Sequence, residues 1–319
     1  MNKERFFRQR VWFSALMALA VGFLFICTTC SKEPLPVELD KKGSQKNGTH
    51  PVRHVTPLRI GMGAMITPHE GYVYYQHLRD YIEKKLGQPV LMVDRGSYSE
   101  MNNLLETGGV DIAFVCAGPY VEGKKKFGME LLAMPLVKGR SSYQAYIIVP
   151  RDSPARSLQD LRGKVFAFAD PKSNSGKVVP TYMLSKLNET PDSFFSSYKY
   201  TYGHDVSIRA VAEKLVDGAA VDSLIWEYIA RKTPAVTERT RIVAKSDFYG
   251  IPPVVVRPGL DPKLKRKIRD ILVSASSDGA GKEILRGMMI DGFVPGNDAN
   301  YDSIRSINAW LAGKRKRNQ

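Results

Sequence analysis

Short apolar runs alternate with amphipathic stretches from residue 58 onward, and this alternation restricts the chain to a few fold classes. The apolar runs have the length of buried strands, and the stretches between them have helical periodicity. In the first part, the predicted strands are 58–62, 90–93 and 110–115, and the predicted helices are 74–86 and 98–106. Strands separated by helices in this way predict βαβ units and an α/β fold with mostly parallel sheets.

The pattern starts again near residue 143. The predicted strands are 143–150, 164–169, 219–222, 241–244 and 253–256, and the predicted helices are 208–216, 225–232, 262–274 and 280–288. The apolar runs at 143–150 and 253–256 bracket the second series, so one lobe is predicted to be inserted into the other through two crossing strands. The predicted lobe boundaries are 58–148 plus 252–313 for lobe 1 and 149–251 for lobe 2. Ligands of such folds bind in a crevice beyond the strand ends.

The first thirty residues are predicted to be an export signal and not part of the fold. A basic start precedes an almost wholly apolar run at 11–27. An uncleaved anchor helix is the alternative, although the run is at the short end for a membrane span. Cys30 resembles the lipidated cysteine of a bacterial lipoprotein signal, but Thr29 stands where such signals usually carry Gly, Ala or Ser. Lipidation at Cys27 and secretion without lipidation are the alternatives.

Composition limits the functions of the remaining chain. Residues 31–57, rich in polar residues and proline, are predicted to be a flexible tether. Residues 1–57 and the basic tail at 314–319 carry more than half of the net charge of +15. The moderately basic body suits an anionic ligand, but no basic stripe with interleaved aromatics indicates nucleic acid. Cys116 is predicted to be a buried thiol, since a single remaining cysteine cannot form an internal disulfide.

Residues 170–176, with the sequence Asp-Pro-Lys-Ser-Asn-Ser-Gly, lie between a predicted strand and a predicted helix that opens at residue 178. Ser173, Asn174, Ser175 and Gly176 bring hydroxyl groups and backbone N–H donors to one point. A helix N-terminus also carries partial positive charge, so this segment is a candidate oxyanion site. The alternative is an ordinary helix cap, because Ser and Asn are preferred N-cap residues.

Three other residues of the second lobe are candidates for the same site. His204 can donate a hydrogen bond to an anion from a helix entry, and Asp205 beside it is a candidate both for ligand binding and for the N-cap. Asp222 ends a predicted strand. A buried carboxylate there would repel an oxyanion unless a proton lies between them, which selects protonated oxyanions or a ligand amine. The alternative role of Asp222 is to cap the helix that begins near residue 224.

Two tyrosines of the first lobe are candidate donors from the facing side. Tyr98 opens a predicted helix, and Tyr120 lies just past a predicted strand. A phenol at such a position can donate a hydrogen bond to an anion held by the other lobe. Ordinary packing is the alternative, since the chain has 15 tyrosines. Zinc-binding Cys/His spacing, a nucleophile elbow and a Walker loop are all absent from the sequence, so neither catalysis nor a metal or cofactor is expected.

The order of several motifs resembles the periplasmic solute-binding proteins of phosphonate, phosphite and phosphate ABC transporters. The resemblance extends from about residue 58 to residue 310. The motifs that carry it are Gly109-Val110-Asp111-Ile112-Ala113, Gly118-Pro119-Tyr120, Ala169-Asp170-Pro171-Lys172-Ser173-Asn174-Ser175-Gly176, Gly203-His204-Asp205, Ala220-Val221-Asp222, Ile251-Pro252-Pro253 and Gly292-Phe293-Val294-Pro295.

This resemblance implies a two-lobed clamshell of the type II periplasmic-binding-protein class, with two crossing strands as the hinge. By matched motif it implies that Ser173, Asn174 and Ser175 form an oxyanion cradle. It implies that Tyr98 and Tyr120 are cleft tyrosines. It also implies that His204 is a ligand-binding histidine and, as a weaker match, that Asp222 is an acidic cleft position. The chain departs from the family where Asn174 stands in place of a frequent threonine, which leaves ligand preference open.

The implied function is capture of a small phosphorus oxyanion for an ABC permease in the inner membrane. The protein is expected to be a monomer, lipid-anchored in the periplasm or at the cell surface. Three alternatives stay open: an accessory protein of a membrane sensor kinase, an enzyme on the same fold, and a surface-interaction lipoprotein with a degenerate cleft. The export signal argues against the enzyme, because enzymes with this fold work in the cytoplasm.

Overall fold

The computed structural model describes residues 56–63 and 68–317. The predicted export signal, both cysteines near its end and nearly all of the predicted tether lie outside these residues. The described part contains no helix that is both long enough and apolar enough to cross a membrane.

The chain folds into helices and strands in the alternating order that the sequence predicts. The first series is β1 (Leu58–Met62), α1 (Pro68–Leu86), β2 (Val90–Asp94), α2 (Tyr98–Thr107), β3 (Ile112–Phe114), α3 (Ala117–Phe127) and β4 (Glu130–Leu136). The second series is β5 (Ser142–Tyr143), β6 (Ala145–Pro150), β7 (Val165–Phe168), a π-helical turn (Asn174–Val178) continued by α4 (Val179–Lys186), α5 (Pro191–Phe194), β8 (Ser197–Tyr200), α6 (His204–Ala212), β9 (Gly218–Asp222), α7 (Ser223–Lys232), α8 (Pro234–Thr237) and β10 (Thr240–Lys245). The last series is β11 (Tyr249–Gly250), β12 (Val254–Val256), α9 (Pro262–Ser274), α10 (Gly279–Met288), β13 (Gly292–Pro295) and α11 (Asp302–Arg317).

Two mixed sheets define the two lobes. Lobe 1 contains a six-stranded sheet of order β13-β4-β12-β3-β1-β2, and lobe 2 a five-stranded sheet of order β10-β6-β9-β7-β8. Among the strands of residues 56–63 and 68–317, β2-β1-β3 and β8-β7-β9 pair in parallel and the other pairs are antiparallel. The sheets are therefore less parallel than the helix–strand alternation predicts, because β4, β6, β10, β12 and β13 run against their neighbours.

Alternate residues of one strand pack on opposite faces of the lobe 1 sheet. Val254 and Val256 join the core that faces α1 and α9, and Val255 joins the core beneath α2, α3 and α11. This is the two-residue periodicity of a strand buried on both faces. Burial on both faces explains why the strands appear in the sequence as continuous apolar runs.

A short two-stranded ribbon, β5 paired with β11, joins the lobes. The sequence predicts one strand over 143–150, but Gln144 divides it between this ribbon and the lobe 2 sheet. The Gln144 N–H donates to Ser223 Oγ at 3.0 Å, and the Gln144 side chain donates to the Ser246 carbonyl at 2.5 Å. Gln144 is therefore not part of the hydrogen-bond ladder of either strand. The chain therefore enters lobe 2 earlier than the predicted boundary at residue 148.

The last helix contacts both lobes. Ile304 and Ile307 of α11 pack in the lobe 1 core, and Trp310 Nε1 donates to Ser185 Oγ of α4 at 3.0 Å. The basic run at 314–317 continues this helix instead of following it as a separate tail. Lys314 Nζ donates to Asn188 Oδ1 at 2.9 Å.

Candidate functional site

Several helices begin at one point between the two sheets. Tyr98 opens α2 and its N–H donates to Asp170 Oδ2 of lobe 2 at 3.3 Å. Cys116 is the N-cap of α3, and its sulfur accepts the backbone N–H of Asn174. Ser173, Gly203 and Asp222 are the N-caps of the segment 174–186, of α6 and of α7. Because each helix start carries partial positive charge, their meeting point favours an anion.

A chain of hydrogen bonds within lobe 2 positions His204 and Ser173. The Asp222 N–H donates to His204 Nδ1 at 3.0 Å, and His204 Nε2 lies 3.3 Å from Ser173 Oγ. Burial lowers the pKa of His204 to about 3, so the ring is neutral at physiological pH. Since Nδ1 accepts, the ring proton belongs on Nε2 and points to Ser173, whose Oγ also accepts the Gly176 N–H at 3.0 Å.

Glycine at position 176 is required by close packing. A Cβ on Gly176 would lie 2.6 Å from the Ala169 Cβ and 2.9 Å from Ser173 Oγ. Gly118 in the first turn of α3 has the same role between the lobes, because its Cβ would lie 2.5 Å from the Lys172 carbonyl oxygen. The backbone at the start of α3 therefore lies in contact with the backbone just before the helical segment 174–186.

Two buried phenols belong to this site. Burial, with Cys116 and Asp170 nearby, raises the pKa of Tyr98 well above its ordinary value. Burial also raises the pKa of Tyr143 in β5, whose oxygen accepts Asn174 Nδ2 at 3.1 Å. Both phenols therefore keep their protons. Because the Asn174 amide fills an acceptor position on Tyr143, the Tyr143 proton is available to another acceptor.

Four of the nine buried side-chain polar atoms that lack a hydrogen-bond partner within the described chain belong to residues of this site. They are the Tyr98 hydroxyl, Ser175 Oγ, Asn174 Oδ1 and Asp222 Oδ2. Buried polar groups are almost always satisfied, by protein, water or a ligand. Two of these atoms are hydroxyl donors that lack acceptors and two are oxygens that lack donors, so this point where helix N-termini meet is chemically suited to an oxyanion that carries a proton.

Asp222 combines both roles that its sequence position allows. Its Oδ1 accepts the Leu224 N–H at 2.8 Å and caps α7, while Oδ2 is unsatisfied among the described residues. Burial raises the pKa of Asp222 to about 7. Near neutral pH this carboxyl therefore exchanges a proton readily and can share one with a protonated ligand oxygen.

Most, but not all, of the predicted residues meet at this point. Tyr98, Ser173, Asn174, Ser175, Gly176, His204 and Asp222 do. Tyr120 does not, because its hydroxyl donates to Asp298 Oδ1 at 2.6 Å and its ring packs on Tyr301, within lobe 1. Asp205 is not the N-cap, since α6 begins one residue earlier and Gly203 caps it.

Tyr143 lies at this site although the sequence does not predict it there. It lies in a run that is predicted to be a buried strand, where a tyrosine indicates core packing. No local signal identifies it, because the strand is broken at Gln144 by hydrogen bonds to the distant residues Ser223 and Ser246. Cys116 is buried, as predicted, and burial raises the pKa of its thiol.

The family and the two relatives that match this chain are all named for phosphonate or phosphate. Residues 60–301 match the family described as "ABC transporter, phosphonate, periplasmic substrate-binding protein". The chain is 27% identical over 231 residues to the phosphonates-binding periplasmic protein of Escherichia coli K12, covering 71% of this chain and 68% of that protein. It is 26% identical over 255 residues to the phosphate-import protein PhnD of Mycolicibacterium smegmatis, covering 73% and 79%.

A solved structure shares the fold at low sequence identity. PhnD1 from Prochlorococcus marinus, crystallised with methylphosphonate, has a TM-score of 0.74 and 16% identity, covering 80% of this chain and 98% of that one. Such a likeness identifies the two-lobed clamshell that the sequence predicts.

Proposed function

The chain belongs to the family of periplasmic substrate-binding proteins of phosphonate ABC transporters, and we propose that it captures a small phosphorus oxyanion between its lobes for an ABC importer. The observation that supports this most directly is the set of buried, unsatisfied polar atoms at the meeting point of the helix starts. Relatives are named for phosphonate and for phosphate, and one neighbour was crystallised with methylphosphonate.

In this proposal, hydroxyl groups from both sides bind the ligand. Ser175 and the helix start at 174 donate from lobe 2, and Tyr98 and Tyr143 donate from the opposite side. His204 acts through Ser173, which it orients by the hydrogen bond to Oγ. No cation is needed, because oriented N–H dipoles and hydroxyls in a buried site interact strongly with an anion.

Asp222 gives the site a preference for ligands that carry a proton. Its unsatisfied Oδ2 accepts a hydrogen bond from a P–OH group, or donates one when the carboxyl is itself protonated. The last ionisation of a phosphate-type group lies near pH 6, close enough to neutrality for one proton to be shared between the ligand and Asp222. Sulfate has no such proton under these conditions, so it can be accommodated only by the fraction of the protein in which Asp222 is itself protonated.

Closure of the two lobes is the proposed capture step. Polar contacts already join the lobes, including Lys172 Nζ to Glu122 Oε1 at 2.6 Å and Lys138 Nζ to Glu227 Oε2 at 2.6 Å. The β5–β11 ribbon is short enough to act as a hinge. As parts of the same proposal, the bound ligand is delivered to a permease and the protein is a monomer. The tether at 31–57 then attaches it to the membrane through lipidated Cys30.

Isothermal titration calorimetry tests the binding. Methylphosphonate, phosphite or phosphate should bind with a Kd of micromolar order or tighter, about −8 kcal/mol, and sulfate should bind far more weakly. Ser175→Ala and His204→Ala should each weaken binding by at least about 1 kcal/mol. Lack of binding across the panel by folded protein would refute the proposed function.

A further inference from the structure

A cavity of about 430 Å³ lies between the lobes. Lobe 1 supplies walls from β3, from the segment after β4 and from α10, and lobe 2 supplies walls from α7. No residue of the oxyanion cluster itself lines it. Its volume exceeds what a bare oxyanion requires, so it is a separate compartment of the cleft.

This cavity borders the oxyanion cluster directly. Val115 lines it and is followed by Cys116, the N-cap of α3. Leu224 also lines it, and the Leu224 N–H donates to Asp222 at 2.8 Å. Burial raises the pKa of the lining residue Tyr75 to about 12, with Tyr228 and Asp222 raising it further, so Tyr75 lies within electrostatic reach of Asp222.

The inner walls of the cavity are mainly apolar. Phe114 packs edge-on against Tyr75 with ring centroids 5.2 Å apart, and Ile225, Leu285 and Ile290 complete this surface. Apolar walls beside a few convergent polar groups are the usual composition of an organic ligand site.

The acidic groups of this compartment already have partners. Glu227 accepts Lys138 Nζ at 2.6 Å and the Tyr146 hydroxyl at 3.0 Å. Asp291 Oδ2 accepts the Gly139 N–H at 2.7 Å. Four cationic side chains and only two carboxylates line the cavity, so an ammonium group that entered it would meet net positive charge, whereas an alkyl or aryl group would not be repelled. The cationic residues are Lys138, Arg231, Lys282 and Arg286.

We propose that this compartment receives an apolar organic substituent, so that the preferred ligands are alkyl- or arylphosphonates larger than methylphosphonate. The inference rests on the proposed function, because it places the phosphorus group at the Asp222 cluster and extends the substituent past Val115 and Leu224. Burial of each additional methylene then adds affinity, up to the length that the cavity accepts.

Calorimetry with methyl-, butyl-, hexyl- and phenylphosphonate tests the inference, with 2-aminoethylphosphonate and phosphonoacetate as polar comparisons. Affinity should rise roughly threefold per methylene. Once the entropy cost of ordering the alkyl chain is included, hexylphosphonate should bind on the order of a hundredfold more tightly than methylphosphonate. The two polar ligands should bind no more tightly than methylphosphonate.

The variant Val137→Trp places an indole into the cavity from a half-buried position. It should remove the gain from longer chains and leave methylphosphonate affinity unchanged. Leu215→Trp adds the same side chain at a site that is 69% exposed and should change neither. If Val137→Trp does not fold, the ligand series on the unaltered protein still tests whether the cavity receives the substituent.

The possible outcomes distinguish the inference about the cavity from the proposed function. If methylphosphonate binds and longer chains bind equally or more weakly, the inference is wrong and the proposed function stands. Tighter binding of either polar ligand than of the alkyl series also overturns it. If no phosphonate binds, the proposed function fails and the inference fails with it.

Discussion

The two lobes contribute to the site in different ways. In lobe 2, Ser173, His204 and Asp222 are joined by hydrogen bonds within one lobe, so their arrangement does not depend on the other lobe. Lobe 1 brings Tyr98, the start of α3 and the apolar cavity walls, which meet this arrangement only across the cleft. In the proposed function, lobe 2 therefore supplies an oxyanion cradle whose geometry does not depend on closure, while lobe 1 completes the cradle and supplies the compartment proposed for the substituent.

The largest effect that tests this comparison is expected at Asp222, the buried carboxyl of lobe 2. Its pKa of about 7 lies above the ordinary value of 3.8, so the folded state retains a proton that the unfolded state loses. Its contribution to stability is complete below pH 4 and is lost as the pH rises to 7. Asp222→Asn removes this dependence and keeps the capping oxygen.

The stability of Asp222→Asn relative to the unaltered protein should therefore increase by about 3 kcal/mol between pH 5 and pH 8. Thermal unfolding at both pH values measures this difference. His204 titrates in both proteins, so its opposite effect cancels. A constant difference across this range would show that Asp222 is ionised in the folded protein.

The next largest effect concerns closure by lobe 1. Gly118→Ala places a methyl group against the Lys172 carbonyl of lobe 2, and overpacking of this kind costs about 2 kcal/mol. Methylphosphonate affinity should fall about thirtyfold, because the added methyl group opposes the approach of the lobes that the proposed binding requires. Gly279→Ala is the control, since a Cβ there meets nothing within 4 Å. Unchanged affinity would indicate that binding does not require this approach.

The two tyrosines of lobe 1 provide a matched pair. Tyr98→Phe removes a hydroxyl without a partner among the described residues and should weaken binding by about 1.5 kcal/mol, since hydrogen bonds to charged groups are strong. Tyr120→Phe removes the bond to Asp298 and should lower stability by about 1 kcal/mol while leaving affinity unchanged. Calorimetry and thermal unfolding of both variants separate the effects, and equal losses of affinity would contradict the placement of Tyr120.

The smallest expected effect is at Asn174, where lobe 2 contacts the hinge ribbon. Asn174→Thr restores the residue that is frequent in the family and removes the amide donor to Tyr143. Affinity should fall threefold to fivefold, about 0.7 to 1 kcal/mol, because Tyr143 loses its orientation. Asn103→Thr, at an exposed position of α2, is the control. Higher affinity in Asn174→Thr would show that the amide hinders the ligand.

Local sequence determined most of the helices and strands and the composition of the cradle. The apolar runs predict β1, β7, β9 and β12 because strands buried on both faces need continuous hydrophobic residues. The segment 173–176 is predicted to be an anion site because it brings hydroxyl groups and backbone N–H donors to a helix start, a pattern that also serves as an ordinary helix cap. These inferences depend on neighbours in the chain, which a single sequence contains.

Only the tertiary structure decided which side chains share the cleft. Tyr98 and Tyr120 both lie at helix starts in lobe 1, yet one faces the cradle and the other donates to Asp298, because distant residues supply the partner. Tyr143 and the apolar cavity likewise result from contacts between segments far apart in the chain. Hydrophobic periodicity specifies how each segment folds, whereas the partner of a buried hydroxyl is set by long-range packing that no local pattern encodes.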